Sequence, residues 1–293
     1  MIEWYYLSII SAIFSATAAV LQKKVLFKER ALSFATTLAL FNLVLAIPFF
    51  FFIDVSSLSL LNLGVLFFKS ILGAFAFLFV MLGIKNLELS HALPLLVLTP
   101  GLVALFAFFI LGESISALAL LGMVLLLLGT YLLQLGEHAR PSEPFRYFIK
   151  SKGHKYILFA LLLFTITSLL DKALLKQFGL PLNAFMGFQH LFYGLVFIVF
   201  IMFTSGGFSE LKGSFRGSWK WILLIAFVTI GYRYAHLGAV KSASSVALAL
   251  SMKRTAVFFA VVLGGKLFKE HDYKKRILST LIMVIGAILI IMF

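Results

Sequence analysis

Apolar residues along the chain fall into ten long runs, and short polar segments separate most of these runs. A helix needs about 20 mostly apolar residues to cross the hydrocarbon core of a bilayer. The pattern therefore predicts ten transmembrane helices. The longest connection lies between the fifth and sixth runs and contains Pro141, Pro144 and several charges. The predicted spans are residues 3–22, 33–53, 62–84, 91–111, 115–134, 156–176, 183–203, 219–240, 243–265 and 274–293.

The two sets of five spans resemble each other in sequence. Several short matches follow the same order in both halves, at an offset of 149 near the start and of 157 farther along. Such self-similarity indicates an internal repeat. The matched pairs are 21–26 with 170–175, 97–114 with 254–271, Glu113 with Glu270, and Gly129 with Gly286.

An odd number of spans in each half requires that the second half cross the membrane in the inverted sense. The predicted fold is an all-α membrane protein whose ten transmembrane helices form two inverted five-helix repeats. The predicted organisation is a first repeat over 1–134, a linker over 135–155 and a second repeat over 156–293. Inverted repeats are typical of secondary transporters, which bind their substrate near the bilayer midplane between the repeats.

Composition agrees with a membrane protein. Hydrophobic residues make up 62% of the chain and charged residues only 12%, whereas soluble domains carry about 25% charged residues. The chain has no Cys, which excludes a disulfide framework and a thiolate metal site. The first apolar run follows Glu3 rather than a basic segment, so we expect it to remain as a span and not to be a secretory signal.

The formal net charge of +14 is distributed unevenly about the predicted spans. Of 25 Lys and Arg residues, 18 fall at one set of alternating connections and only Lys172, Lys176 and Lys241 at the other. The positive-inside rule then places the basic connections in the cytoplasm and both termini outside. The basic residues face lipid headgroups on this interpretation, so we expect a bilayer partner and no nucleic acid.

Four basic residues lie inside predicted spans at least five residues from either end: Lys69, Arg233, Lys253 and Arg254. A charge at the bilayer centre costs at least about 2.5–3.5 kcal/mol. Lys69 is nearer a span end, so a lipid-facing position with its amine at the interface is an alternative for it. Arg233 and Lys69 both fall in the outer half of the predicted topology, which would make a shared cavity positive on the outer side.

Acidic residues of the spans sit at or near span ends, and none lies mid-span. The central cations therefore have no evident carboxylate partner. Backbone carbonyls, hydroxyls and cavity water could satisfy them; alternatively an anionic substrate brings the missing charge, for which Arg and Lys are suited. The acids considered are Glu3, Asp54, Glu88, Glu113, Asp171 and Glu270.

Further polar side chains accompany these cations. Tyr232 and Tyr234 flank Arg233, and His236 lies three residues beyond it on the same helix face. We predict a substrate-binding group of Arg233, Lys253, Arg254, His236, Tyr234, Tyr232 and Lys69. His190 and Gln189 inside the seventh span are candidates for a proton or polar contact, although a packed neutral histidine is the alternative.

Other features have structural interpretations. Glu113 and Glu270 stand where a following helix begins, so their charge favours the positive end of a helix dipole. Gly129 and Gly286 allow close packing of the fifth and tenth spans. Pro94 and Pro100 permit a kink in the fourth span, which is tolerated where a span lines a cavity.

Two motifs resemble a known family. The stretch HALPLLVLTPGLVALFAFFILGE (91–113) and the stretch MKRTAVFFAVVLGGKLFKE (252–270) are similar to the ten-helix EamA-type branch of the drug/metabolite transporter superfamily. The resemblance implies a central cavity lined by the third, fourth, eighth and ninth spans, with help from the first and sixth. In phosphate-exchanging relatives a Lys-Arg pair contacts the anion, and Lys253 and Arg254 match it. The sequence looks more like the prokaryotic branch, which implies the cytoplasmic (inner) membrane.

The function expected from the sequence is secondary transport of a small organic anion or zwitterion, such as an amino acid or organic phosphate, by alternating access. A flippase for a phosphate-bearing lipid and a non-transporting membrane scaffold are the alternatives. Enzyme signatures such as HExxH, GxSxG and the phosphate-binding GxxxxGK[ST] are absent from the sequence. We therefore expect no enzymatic activity, no cofactor and no metal, and a monomer or homodimer.

Overall fold

The computed structural model describes residues 4–54, 56, 58–111, 116–134, 151–243, 246–270 and 272–292. These residues form helices, and no strand occurs among them. Helices suit lipid because each backbone N–H and C=O is satisfied within its own segment. The helices are α1 (Trp4–Leu26), α2 (Ala31–Phe50), α3 (Leu60–Asn86), α4 (Leu89–Leu95), α5 (Thr99–Leu111), α6 (Ala117–Gln134), α7 (Lys152–Lys172), α8 (Leu182–Met202), α9 (Trp219–Ser242), α10 (Val246–Leu267) and α11 (Tyr273–Met292).

Every predicted span coincides with helical structure, and the fourth comprises both α4 and α5. Within the described residues, seven stretches are long and apolar enough to cross a membrane. The count of ten crossings stays a prediction, as does the 135–155 linker, most of which lies outside the described residues. The seven stretches are Trp4–Leu26, Ala31–Phe50, Leu60–Asn86, Leu89–Phe106, Lys152–Gln177, Leu182–Met202 and Gly207–Ser242.

The break in the fourth span lies where its prolines predicted a kink. A short 3₁₀ turn, Leu96–Leu98, separates α4 from α5. Pro100 has no N–H to donate to the carbonyl of Leu96, four residues earlier. Instead, the Thr99 hydroxyl donates to that carbonyl at 2.7 Å, and the Thr99 backbone N–H also points to it. The Leu96 carbonyl at the bend therefore accepts hydrogen bonds from within the same turn.

The most extensive helix contacts join the two halves of the chain. Helix α1 packs on α9 and α10, α2 packs on α8, α3 packs on α7, and α6 packs on α11. The contact of α6 with α11 depends on glycine, as expected. A Cβ built on Gly286 would lie 2.6 Å from the carbonyl oxygen of Gly122.

Four connections meet at one end of the bundle, which we call the basic end. They follow α1, α3, α8 and α10. Lys85 Nζ donates to the carbonyl of Glu29 at 2.7 Å, Ser218 Oγ donates to Glu29 Oε1 at 2.7 Å, and Arg276 forms an ion pair with Glu88. These contacts bring connections of both halves together.

The connections that follow α2, α7 and α9 meet at the other end, called here the opposite end. Asn62 Nδ2 donates to the carbonyl of Phe178 at 3.2 Å, and Lys176 donates to the carbonyl of Ala243. Buried apolar side chains close the bundle here, among them Leu66, Leu174, Leu180, Phe185, Leu237 and Val240.

Glu270 stabilises a helix N-terminus, but not the one expected. Its carboxylate accepts the backbone N–H groups of Leu89 at 2.7 Å and Ser90 at 3.0 Å, at the start of α4. The following helix, α11, was the expected partner. The dipole argument identified the type of interaction, whereas tertiary packing decided which helix receives it. Glu113 lies outside the described residues.

Candidate functional site

A cavity of about 130 Å³ lies between the two halves and is called cavity A. Side chains of α1, α3, α4, α7, α9 and α10 line it, together with Leu96 of the 3₁₀ turn. These elements belong to the first, third, fourth, sixth, eighth and ninth spans, the set that the family resemblance implied. Gln22 and Ile84, near the ends of α1 and α3, place cavity A toward the basic end.

A second cavity of about 110 Å³, cavity B, adjoins the first. It adds residues from α2 and α8 to the lining, and it lacks those of α1 and α4. The two cavities share Phe77, Phe164, Tyr232 and Lys253, which therefore form the boundary between them. The cationic boundary lies at the middle of the bundle.

Arg233 lines cavity B from the middle of α9. Its Nη2 donates to Gln189 Oε1 of α8 at 2.6 Å, so one neutral amide orients the guanidinium. Its Nε is buried without a hydrogen-bond partner. Within the described part of the chain, no carboxylate lies within ion-pair distance of Arg233. An anion in cavity B would find donors already in place.

Lys253 lines both cavities from α10. Its Nζ lies 5.3 Å from the ring centroid of Tyr232 on α9, a cation–π distance. Tyr232 thus lies beside Lys253 and, like Arg233, lines cavity B; its role in binding a substrate stays a prediction. Arg254 follows in the same helix, but its side chain lies outside what the structure describes.

Neutral polar groups of cavity B also have unused hydrogen-bonding capacity. Asn42 Oδ1, Thr229 Oγ1 and both ring nitrogens of His190 are buried without a hydrogen-bond partner among the described residues. All three residues line cavity B. Buried polar groups are normally hydrogen-bonded, and exceptions mark sites that bind water or ligand. Cavity B therefore offers acceptors as well as cationic donors.

Lys69 corrects two expectations. Its side chain is 1% exposed, so the lipid-facing alternative is wrong. Its Nζ lies 2.7 Å from Asp171 Oδ1 of α7 and 4.8 Å from the ring centroid of Phe185. Lys69 lines neither cavity A nor cavity B, and a protein carboxylate already neutralises it. The expected cavity with Lys69 in its wall is therefore neither cavity A nor cavity B.

Asp171 was treated as an acid at a span end, which understated its burial. Helix α7 continues into a wide turn, Ala173–Gln177, in which Leu174 and Leu175 are buried. Asp171 precedes this turn, contacts Lys69 of α3 and is only 5% exposed. Distance along the sequence from a span end did not reveal this burial.

Two further predicted residues line neither cavity A nor cavity B. Tyr234 is 41% exposed and stacks on Phe49 of α2, with ring centroids 5.7 Å apart. Successive helix residues point about 100° apart, so Tyr234 cannot share a direction with both Tyr232 and Arg233. His236 is buried but lines neither cavity.

Sequence reasoning missed three polar members of cavity B: Asn42, Tyr193 and Thr229. Each is an uncharged side chain within an apolar span, so no charge distinguished it. A signal did exist for Asn42, because an amide inside a span needs partners.

The model of the EamA-like transporter family matches residues 2–135.

The first half of the chain is therefore similar to this transporter family.

The EamA-like assignment confirms the drug/metabolite transporter resemblance inferred from the sequence. It indicates a membrane transporter of the drug/metabolite type, and with the long apolar helices it makes the chain an integral membrane protein. A solved structure described only as "Crystal structure of protein" is similar over 98% of this chain and 94% of its own, with 17% identity and a TM-score of 0.56. At that identity the likeness shows the fold alone. No curated protein matches the chain.

Proposed function

We propose that this EamA-like protein is a ten-helix secondary transporter that moves a small organic anion or zwitterion by alternating access. The proposal depends mainly on the contacts that the Arg233 side chain makes. Its guanidinium lines a cavity between the halves, contacts a neutral amide and has no carboxylate partner among the described residues. Such a cation is costly inside a membrane, and an anionic solute would supply the opposite charge.

Two cations support a carboxylate or phosphate as the bound group. Arg233 can bind an oxyanion through two nitrogens, while Lys253 acts as a point charge from the facing helix. Tyr232 lies between the two cavities beside Lys253 and can hydrogen-bond or stack on the solute. Lys69 is engaged by Asp171 and is not part of the proposed anion site.

The helix contacts support an inverted repeat of α1–α6 and α7–α11. Exchanging the halves converts the contact of α1 with α9 into that of α7 with α3, and both occur. The contact of α1 with α10 becomes that of α7 with α5, which also occurs. The pairs α2 with α8 and α6 with α11 convert into themselves. This is the pattern that a twofold relation between the halves requires.

Burial supports the register of the repeat. Aligned at the offset of 149, residues 15–22 of α1 and 164–171 of α7 have the same burial at all eight positions. Thr17 and its equivalent Ile166 are both exposed, for example, whereas Ala19 and Ser168 are both buried. Equivalent positions are therefore buried to a similar degree, although few of their side chains are identical.

The test is transport by purified protein in liposomes. We would measure counterflow for labelled amino acids, organic phosphates and sugar nucleotides, with Arg233→Gln as the test variant. Arg216→Gln is the matched control, because Arg216 is exposed on the connection between α8 and α9. Transport that requires Arg233 and tolerates the loss of Arg216 supports the proposal.

Two results would oppose it. If Arg233→Gln left transport unchanged, the proposed cationic site would be wrong. If the protein flipped a labelled phospholipid and transported no solute, the lipid flippase would be favoured. Both proteins would first be shown to fold by size-exclusion chromatography, so that loss of transport reports on the site.

A further inference from the structure

Helix α1 supplies a line of residues to cavity A, whereas four of the five equivalent residues of α7 line neither cavity A nor cavity B. The α1 residues are Ser15, Ala16, Ala18, Ala19 and Gln22. At the offset of 149 their equivalents are Phe164, Thr165, Thr167, Ser168 and Asp171. Phe164 lines both cavities, and we call the other four residues the polar line of α7.

The polar line of α7 is buried inside the bundle instead. Thr165 is fully buried, and Thr167, Ser168 and Asp171 are each at most 8% exposed. Helices α3 and α7 pack extensively, and Lys69 of α3 pairs with Asp171. One surface of the repeat is thus open to a cavity in α1 and closed by packing in α7.

We propose that the protein has a second substrate cavity at the opposite end, closed in this structure, which opens along the polar line of α7. The inference rests on the proposed function, because it needs the inverted repeat and alternating access. When the halves exchange conformations, α7 takes the environment that α1 has here. Thr165, Thr167, Ser168 and Asp171 then line the second cavity, with Lys69 beside Asp171.

Other equivalent pairs agree with this placement. Cavity A includes both Leu96 and Lys253, which are equivalents at the offset of 157, and both Ser15 and Phe164, equivalents at 149. Residues that line one cavity together with their own equivalents lie close to the axis relating the halves. Lys253 is therefore positioned to reach a solute from either cavity.

The second cavity would differ chemically from cavity A. Three alanines of α1 are replaced by Thr165, Thr167 and Ser168, and Gln22 is replaced by Asp171. Hydroxyl groups both donate and accept, and the Lys69–Asp171 pair presents both charges once water reaches it. The ligand that fits is an anion that also carries hydrogen-bond donors, such as hydroxyl or ammonium groups.

Site-directed cysteine labelling tests this cavity without knowledge of the substrate. The chain contains no Cys, so each single replacement reports one position. The test pair is Ala19→Cys on α1 and Ser168→Cys on α7. The matched controls are their exposed neighbours in the same helices, Thr17→Cys and Ile166→Cys. A membrane-impermeant maleimide is added to intact cells or to inverted membrane vesicles.

We expect Ala19→Cys to react from the basic-end side and Ser168→Cys from the other side, each at least tenfold faster than its control. Thr165→Cys supplies a second probe of the same surface if Ser168→Cys is poorly produced. Failure of both α7 cysteines to react from either side would overturn the proposal, as would reaction from the side that labels Ala19→Cys. Opposite-sided labelling without transport of any solute would instead refute the proposed function and leave the cavity standing.

Discussion

Lys69 and Asp171 meet 2.7 Å apart, one from each half of the chain, and both are buried. The attraction between two buried opposite charges offsets the free energy of their lost hydration only when the geometry of the pair is good. The ring of Phe185 lies beside the ammonium group and helps to keep lipid and water away. The closed end of the bundle is therefore held by an ion pair as well as by apolar packing.

Breaking this pair from one side should destabilise the protein more than removing it altogether. Lys69→Met or Asp171→Asn alone leaves one uncompensated buried charge, with an expected cost of about 3–5 kcal/mol. The double variant leaves none and should recover at least half of the lost stability. Thermal unfolding in detergent measures the three variants.

Lys155→Met serves as the control for charge removal, because Lys155 is exposed at the start of α7. The Lys155→Met variant should unfold at the same temperature as the native protein. If the two single replacements were additive in the double variant, the two side chains would not be coupled and the ion pair would have no energetic role.

An internal carboxylate beside Arg233 should compete with an anionic substrate. Gln189→Glu places a negative charge at the position whose oxygen now lies 2.6 Å from Arg233 Nη2. We expect the apparent affinity for the transported anion to fall at least about tenfold, or roughly 1.4 kcal/mol. Counterflow at varied substrate concentration measures the change. An unaltered affinity in Gln189→Glu would argue that the anion does not bind at Arg233.

Close contact of α6 with α11 should make Gly286 intolerant of even one methyl group. Gly286→Ala places its Cβ 2.6 Å from a backbone oxygen that cannot move freely, and we expect a loss of about 1–3 kcal/mol. Gly64→Ala is the matched control, because nothing lies within 4 Å of the added atom. Alanine favours helix over glycine by about 1 kcal/mol, so the control should be neutral or stabilising. Equal stability of the two variants, measured by thermal unfolding, would contradict the packing.

The carboxylate of Glu270 should stabilise the start of α4. Glu270→Ala removes the acceptor of two backbone N–H groups, a loss of about 1.5–3 kcal/mol for a bond to a charged group. Asp272→Asn is the control, since Asp272 is exposed and asparagine tolerates its positive φ. Hydrogen exchange at Leu89 and Ser90 should rise in Glu270→Ala alone, and unchanged protection there would count against the contact.

Long apolar runs made the helices predictable from the sequence. The partners of individual side chains could not be predicted in this way. Hydropathy and length placed each helix to within a few residues, and Pro94 and Pro100 located the break in the fourth span. Charge identified Arg233 and Lys253 because any cation in a span is unusual. The same criterion could not reveal Asn42 or Thr229, which are neutral.

The Lys69–Asp171 pair shows where a linear description of the spans is insufficient. Lys69 and Asp171 both lie toward span ends, which suggested contact with water or lipid for each. Their burial depends on how α3 packs against α7 and on the turn that extends α7. Only the tertiary arrangement contains that information.

The most direct measurement of the central claim is counterflow of the anion found in the panel, compared among the native protein, Arg233→Lys and Arg233→Gln. Loss of a buried charge contact costs about 2 kcal/mol or more, so uptake by Arg233→Gln should fall at least about thirtyfold. Arg233→Lys keeps the charge and should retain measurable uptake. If folded Arg233→Gln took up the anion as fast as the native protein, the result would contradict the account.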